Sequence, residues 1–416
     1  MKMLRCHGQK VTLKMRAIIL TMVLGMTWAQ CEASDIAIEH AMVYEAPGEA
    51  AIVDATVLIH DGRIAAVSKR VALPSGTTVL ACEGCVIFAG FWNSHVHFIG
   101  PQWLDAAHVA PQTLERQLQD MLTRSGFTSV VDTGSDIEVT RDLRDRIERG
   151  EVAGPHIRTA GLPLFPARAL PFYLANLPAA FKARLGQPTS PDEARNFVAH
   201  NHAAGADITK LFTGSIVAPD QVQPMREEIA AASVSESHRQ GVPVFAHATN
   251  LEGLRVAIAS GVDVLAHAPE HLNGIDRAMI QDLAKKRIAI IPTLMLFAQD
   301  RNISEIRDLV LSAHRDGVHL IFGTDTGFLT DYDVSEEYRQ LFLAGLDIDD
   351  ILAMLTTAPA ALFKADRHQG RVVPGMDGDL TILSSDPNKE GVGAFSNVRY
   401  TIRSGKVLFD SARPVR

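Results

Sequence analysis

The sequence predicts an α/β fold: a (β/α)8 TIM barrel with a small composite β-sandwich domain formed by the N- and C-terminal segments. Three observations predict it. Across 89–367, apolar runs of about five residues alternate with helical patterns, as parallel βα repeats require. Imidazoles, an amine and a carboxylate close several of these runs, at the C-terminal strand ends where such a barrel builds its site. Residues 34–88 and 368–416 read instead as short β-rich runs broken by turn pairs.

The chain opens with Lys2, Arg5, Lys10, Lys14 and Arg16 and no acid, followed by an apolar stretch over 17–28. This is the basic start and short apolar core of a secretory signal, too short for a comfortable membrane span. Thr27 and Ala29 place cleavage after Ala29, with Ala33 as the alternative, and Met15 is an alternative start. Gln30 before Cys31 disfavours a lipid anchor. The mature protein is therefore expected to be exported, periplasmic or secreted, with no stable membrane span. Losing residues 1–29 removes five positive charges and no negative ones, which takes the formal charge from −8 to −13. A surface this acidic repels nucleic acid, so a small-molecule substrate is the expected partner; homo-oligomerisation is left open. With 416 residues, 47% of them apolar, the chain can bury a large core.

In the first β-rich piece, Asp61-Gly62 is a hairpin turn following Ala55-Thr56-Val57-Leu58-Ile59-His60. The last piece repeats the style, with turns at Pro374-Gly375, Asp377-Gly378 and Ser404-Gly405. Neither piece can bury two sheet faces alone, so one composite domain is expected. Cys6 falls in the leader and Cys31 at its edge. Cys82-Glu83-Gly84-Cys85 lacks both the two further ligands of a zinc site and a thioredoxin-like context. It reads as structural, a small loop disulfide suited to an oxidising compartment.

The barrel strands are expected over 86–95, 128–132, 156–160, 208–212, 244–247, 264–267, 288–291 and 319–324. Helices are expected over 111–124, 137–149, 191–204, 224–240, 251–260, 276–286, 304–316 and 347–357. Ser190-Pro191-Asp192-Glu193 is a helix start, with a capping hydroxyl, proline at the first helical position and acids in the first turn.

The strand over 86–95 delivers His95 and His97. Residues two apart face the same side of a strand, so both imidazoles can reach one metal ion; on a helix they would splay. His247, His267 and Asp325 close later apolar runs, and Lys210 sits within another. Three imidazoles suffice for a hydrolytic zinc. Four imidazoles, a carboxylate and a lysine exceed one tetrahedral site, and two ions are the natural use of the surplus. Two further strings lead elsewhere. His267-Ala268-Pro269-Glu270-His271 matches H-x-x-E-H, but Pro269 and the preceding β-like run make it a strand end and loop rather than a helix. His200-Asn201-His202 lies in a helical pattern and reads as a solvated face, while His156 and His319 read as ordinary buried or edge histidines. No nucleophile elbow and no phosphate loop is present.

The order His95-x-His97, Lys210, His247, His267, Asp325 resembles the metal-dependent amidohydrolase superfamily. Gly205-Ala206-Asp207-Ile208-Thr209-Lys210, Gly323-Thr324-Asp325-Thr326-Gly327 and Pro374-Gly375-Met376-Asp377-Gly378-Asp379-Leu380-Thr381-Ile382-Leu383 are similar to its imidazolonepropionase-like branch, which includes dinuclear prolidases and related exported peptidases. The resemblance implies two divalent ions, zinc first among them, bridged by a carboxylated Lys210. His95, His97 and Asp325 would hold one ion, and His247 and His267 the other. A metal-bridging hydroxide would attack an amide carbonyl, with Asp325 carrying the proton to the leaving amine. Dipeptides and N-acyl amino acids are the branch's common substrates, so the expected activity is that of a dipeptidase or another amidohydrolase acting on a carbon–nitrogen bond. A cyclic amide, a lactone or another ester is the alternative substrate class. A non-catalytic barrel scaffold is a further alternative, which the retention of all six ligands opposes.

Substrate choice is expected from the loops. The longest, over 161–190, is rich in Leu, Pro and Phe; Met295, Phe297, Phe328, Asp331 and Tyr332 follow later strands. They predict a largely apolar pocket. A substrate carboxylate would need a cation, for which Arg168 is the candidate, with Tyr173 and Phe328 as neighbouring contacts. The chain departs from its relatives in reading Gly154-Pro155-His156 where many read Gly-Pro-Arg, and in lacking a Gly-Gly-His after the third strand.

Overall fold

The computed structural model describes residues 35–413; the leader and cleavage site expected near residues 1–33 lie outside the described residues. The chain begins with β1 (Ile36–Val43), β2 (Ile52–His60), β3 (Arg63–Ser68), β4 (Thr78–Ala81) and β5 (Val86–Ala89). The middle supplies β6 (Phe91–Val96), β7 (Phe127–Asp132), β8 (His156–Thr159), β9 (Thr209–Phe212), the hairpin β10 (Gly214–Ala218) and β11 (Gln221–Pro224), then β12 (Val244–His247), β13 (Val264–Leu265) and β14 (Ala289–Ile290). The last segment supplies β15 (Leu380–Leu383), β16 (Val398–Arg403) and β17 (Lys406–Asp410).

Both ends of the chain build one sheet, in the order β17-β16-β15-β5-β1-β2-β3 with β4 also on β1. Asp61 and Gly62 both take positive φ (48° and 74°), the geometry of the tight turn that joins β2 to β3. The chain ends meet where β15 pairs antiparallel with β5 and β5 runs parallel to β1. Ile38, Val57, Ile87, Leu380 and Ile402 share the core beneath. By pairing this is one continuous sheet rather than the two sheets of the expected sandwich. β1 is long enough to take β4 along its first half and β5 at its end, so the ladder never breaks.

The central strands form two parallel groups, β6-β7-β8 and β14-β13-β12-β9, and their ladders do not close into a barrel. The eighth strand expected over 319–324 is reduced to single bridges, Ile290↔Leu320 and Val96↔Thr326. Individual bonds still tie it to its neighbours: Ile321 N donates to Ile290 O at 2.9 Å and Ser94 N to Phe322 O at 2.8 Å. Asp325 lies in the left-handed region (φ 60°), which strand geometry excludes, and this ends any ladder there.

The strand expected over 86–95 is two strands. Gly90 divides them, because a Cβ there would stand 2.1 Å from Thr128 Oγ1, and its N–H donates to Asp379 O at 2.8 Å. The residues before it join the terminal sheet and those after it enter the central strands. The helix expected from residue 224 begins at Glu227, since β10 and β11 occupy 214–224 as a hairpin. The other expected helices form within a few residues of their predicted bounds, and Ser190 Oγ accepts from Glu193 N at 3.3 Å to cap Pro191–Ala203. Cys82 and Cys85 form a disulfide. Among the described residues no helix is long and apolar enough to cross a membrane.

Candidate active site

β6 ends in the sequence Asn93-Ser94-His95-Val96, with His97 just beyond. His95 is fully buried, and its Nδ1 donates to the Ala266 carbonyl at 2.7 Å; His97 Nδ1 donates to the Gly134 carbonyl at 2.8 Å. A carbonyl can only accept, so both rings carry a proton on Nδ1 and present Nε2 to the cluster, where Thr133 Oγ1 lies 3.3 Å from that of His97. His267, just past β13, repeats the device. Its Nδ1 lies 2.8 Å from Thr293 Oγ1, whose own hydroxyl donates to Pro292 O at 2.9 Å and therefore accepts from the ring. Oriented imidazoles of this kind are how proteins prepare metal ligands.

The rings converge. His95 and His267 have centroids 4.3 Å apart, His247 and His267 4.6 Å, and His247 stacks on Phe212 at 4.7 Å. Asp325 Oδ1 reaches His97 Nε2 at 3.0 Å and His95 Nε2 at 3.4 Å. The ligating atoms of His95, His97 and Asp325 all lie within 4.8 Å of one another. Lys210, on β9, is buried with its Nζ 5.6 Å from the centre of the Phe212 ring.

The donor set fits divalent cations. His95 Nε2 and Asp325 Oδ1 are buried without a hydrogen-bond partner among the described residues, an expensive arrangement that a cation would relieve. Burial, reinforced by the Lys210 charge, pulls His247 down to about 3 and His95 well below the ordinary histidine value. Burial and the neighbouring His95 do the same to His267. Neutral imidazole is the ligand form. For His97 burial also works downward, but the Asp325 carboxylate, 3.0 Å from its Nε2, overcomes it and raises the ring. Burial drops Lys210 to about 7, with Asp325 and Asp132 pulling partly the other way.

The cluster sits at the base of a cavity of about 630 Å³ lined mainly by apolar side chains of the 161–190 loop, such as Leu162, Phe165, Leu174 and Phe181, with Phe297 and Phe328. Tyr173 also lines it, its ring 5.5 Å from that of Phe328. Arg168 does not. It is exposed, with φ 58°, and is not among the residues that line the cavity. Met295, Asp331 and Tyr332 also fall outside the lining, as does the exposed His271.

Three residues had no assigned role in the sequence. Asp132 ends β7 and is buried, and its carboxylate accepts from Ser135, Thr140 and Thr159 hydroxyls at 2.6, 3.1 and 2.7 Å. It braces the turn whose Gly134 carbonyl orients His97; its strand-end position, like that of Asp325, was the available signal. Thr293 left no signal, because its role arises only from packing. Glu270, three positions after His267, lines the cavity, and burial with the nearby Asp300 charge pushes its carboxyl up to about 7.

A model of the amidohydrolase family matches residues 86–408. The uncharacterized protein Mb2939c of Mycobacterium bovis is 26% identical over 205 residues, 44% of this chain and 52% of that protein. The chain thus spans about half the length of that curated relative. Among solved structures, an Xaa-Pro dipeptidase with bound methionine in its active site superposes with a TM-score of 0.78 at 21% identity, covering 91% of this chain and all 100% of that one. A prolidase complexed with N-methylphosphonate-L-proline gives 0.74 at 22%, over 90% and 99% of the two chains. Molinate hydrolase gives 0.75 at 20%, over 90% and 95%. At these identities the likeness is one of fold, and these neighbours imply a TIM-barrel fold with a sheet domain.

Proposed function

The chain belongs to the amidohydrolase family, and on that premise we propose that it is an exported dinuclear hydrolase that cleaves an amide carbon–nitrogen bond in a small molecule. The observation that carries the reading is convergence. His95, His97, Lys210, His247, His267 and Asp325 all line one cavity, and two of their buried ligand atoms have no hydrogen-bond partner among the described residues.

His95, His97 and Asp325 would hold one divalent ion, zinc first among the choices, and His247 and His267 a second, with a carboxylated Lys210 between them. When bound, such ions supply an acidified water and polarise a scissile carbonyl. Lys210 is suited to capture carbon dioxide because only a neutral amine does so, and at about 7 that form is populated at neutral pH. Asp325 takes the proton released as water attacks and hands it to the departing amine, since one oxygen already faces the cluster. The 161–190 loop lines the cavity with Leu162, Phe165, Leu174 and Phe181, an apolar wall that strengthens charge interactions beside it to the extent that it displaces water.

Export is supported by the basic, then apolar start of the chain and by the Cys82–Cys85 disulfide, a bond favoured in oxidising compartments. Mass spectrometry of the exported protein should find nothing before Gln30; an intact N-terminus in the cytoplasm would refute export.

Elemental analysis of the purified protein tests the metal count, and a screen of apolar amides, dipeptides and N-acyl amino acids tests the reaction. Two divalent ions per chain and release of a free amine are expected, with Lys210→Ala losing one ion and most of the activity. One ion at full activity would defeat the dinuclear reading. Ester cleavage without any amide cleavage would defeat the amidase reading.

A further inference from the structure

We infer that the cavity selects amides whose far end is neutral or cationic over those ending in a free carboxylate, with Glu270 as the specificity-determining residue. This rests on the amide-hydrolase reading and narrows its substrate class.

The inference starts from charge. Of the Lys and Arg side chains described, only Lys210 lines the cavity, and it belongs to the reacting centre. The three cations of the 161–190 loop are spent elsewhere. Arg184 is clamped on Asp136 at 2.5 and 2.9 Å, Lys182 Nζ donates to Ala175 O at 3.0 Å, and Arg168 lies outside the lining. On the other side of the balance, Glu270 and Asp300 both line the cavity. Glu270 Oε1 is buried and has no hydrogen-bond partner among the described residues. A substrate carboxylate there would meet like charge and no donor from a basic side chain, whereas an ammonium or amide N–H would complete an unsatisfied acceptor. The lining adds a second attraction for cations. Tyr173 and Phe328 present aromatic rings 5.5 Å apart, each more than one third exposed, and ring faces attract ammonium groups. Most of the remaining lining is apolar and suits an uncharged chain equally well; its further carboxylate, Asp136, is already paired with Arg184.

The test uses three 3-phenylpropanoyl amides of matched length, made from butylamine, 1,4-diaminobutane and 4-aminobutanoate. Each is assayed with the metal-loaded enzyme for kcat/KM, and by calorimetry for Kd, at about pH 8, above the Glu270 value of about 7. The butyl and aminobutyl amides should be favoured over the carboxylate by about tenfold or more, and Glu270→Gln should shrink the ammonium-to-carboxylate ratio by a similar factor. A carboxylate compound that matches or beats the others in the unaltered enzyme overturns the inference, as does an unchanged ratio in Glu270→Gln. If none of the three is cleaved, the amidase reading fails, while the order of Kd values still decides the charge preference.

Discussion

Asp325 holds a backbone conformation that most residues avoid, φ 60°, while its carboxylate faces two histidines. Strain of this kind persists where surrounding structure fixes it, and it clusters at working sites. Asparagine tolerates the left-handed region and keeps the shape of the side chain, but loses the base. Asp325→Asn should therefore fold normally and lose on the order of 10²-fold or more in kcat when proton transfer limits the reaction. The measurement is kcat at matched metal content; near-normal turnover would show that another group moves the proton. At this scale the sequence was informative for His95, His247 and Asp325, which close apolar runs, but not for Asp132, which ends β7 in the same way. It was silent on Thr293 and the Gly134 carbonyl, which orient the rings through contacts between distant segments. It gave no sign that Arg168 lies outside the cavity lining, because residue type reveals nothing of the direction in which a long loop turns its side chains.

The segment 323–327 places Asp325 against β6, and it can do so only because its flanking residues are small. A Cβ on Gly323 would lie 2.8 Å from His95 Cβ, and one on Gly327 would lie 1.9 Å from His97 O. Gly327 also has φ 102°, so alanine there meets both backbone strain and a fixed carbonyl. Gly327→Ala should cost on the order of 3 kcal/mol or more and reduce metal content, because relief requires moving His97. Gly241→Ala is the control. Its φ is 73° with nothing within 4 Å of the added carbon, so it should cost about 1–2 kcal/mol and leave metal content alone. Equal losses in Tm and in metal for both variants would show that close approach at Gly327 is unimportant. The same crowding explains what the pattern of apolar runs missed. Helices were legible from periodicity and caps, but Gly90 divides one run between two sheets, and Asp325 stops the eighth strand from pairing, for reasons that lie in neighbours distant in sequence.

Across the whole molecule, the site is assembled at the expense of stability, and Lys210 is where this can be measured. The composite terminal sheet was foreseeable, since neither end could cover its own faces, yet no feature of the sequence reports how much the buried amine costs. Its folded value is about 7 against an ordinary 10.5. Between these two pH values the unfolded chain binds one more proton at this residue than the folded protein does, so this group makes stability rise with pH across that window. Below about 7 the full penalty is in force; approaching 10.5 it disappears. Other buried groups titrate as well, Glu337 and Glu270 among them in the opposite sense, so the effect must be isolated by difference. Lys210→Met removes the amine and keeps an unbranched chain of similar volume. In chelator-treated, carbon dioxide-free protein, this variant should be more stable than the unaltered chain at pH 7, by on the order of a few kcal/mol, and the gap should close at up to about 1.4 kcal/mol per pH unit as pH rises. Adding divalent metal and bicarbonate should reverse the order, because a ligand that binds only the folded state stabilises it and the variant has lost the amine proposed to bridge the ions. Denaturant unfolding of both proteins across this pH window, with and without metal, is the measurement. Parallel stability curves would show that Lys210 is not held neutral by the fold, and the proposal that it captures carbon dioxide would lose its physical basis.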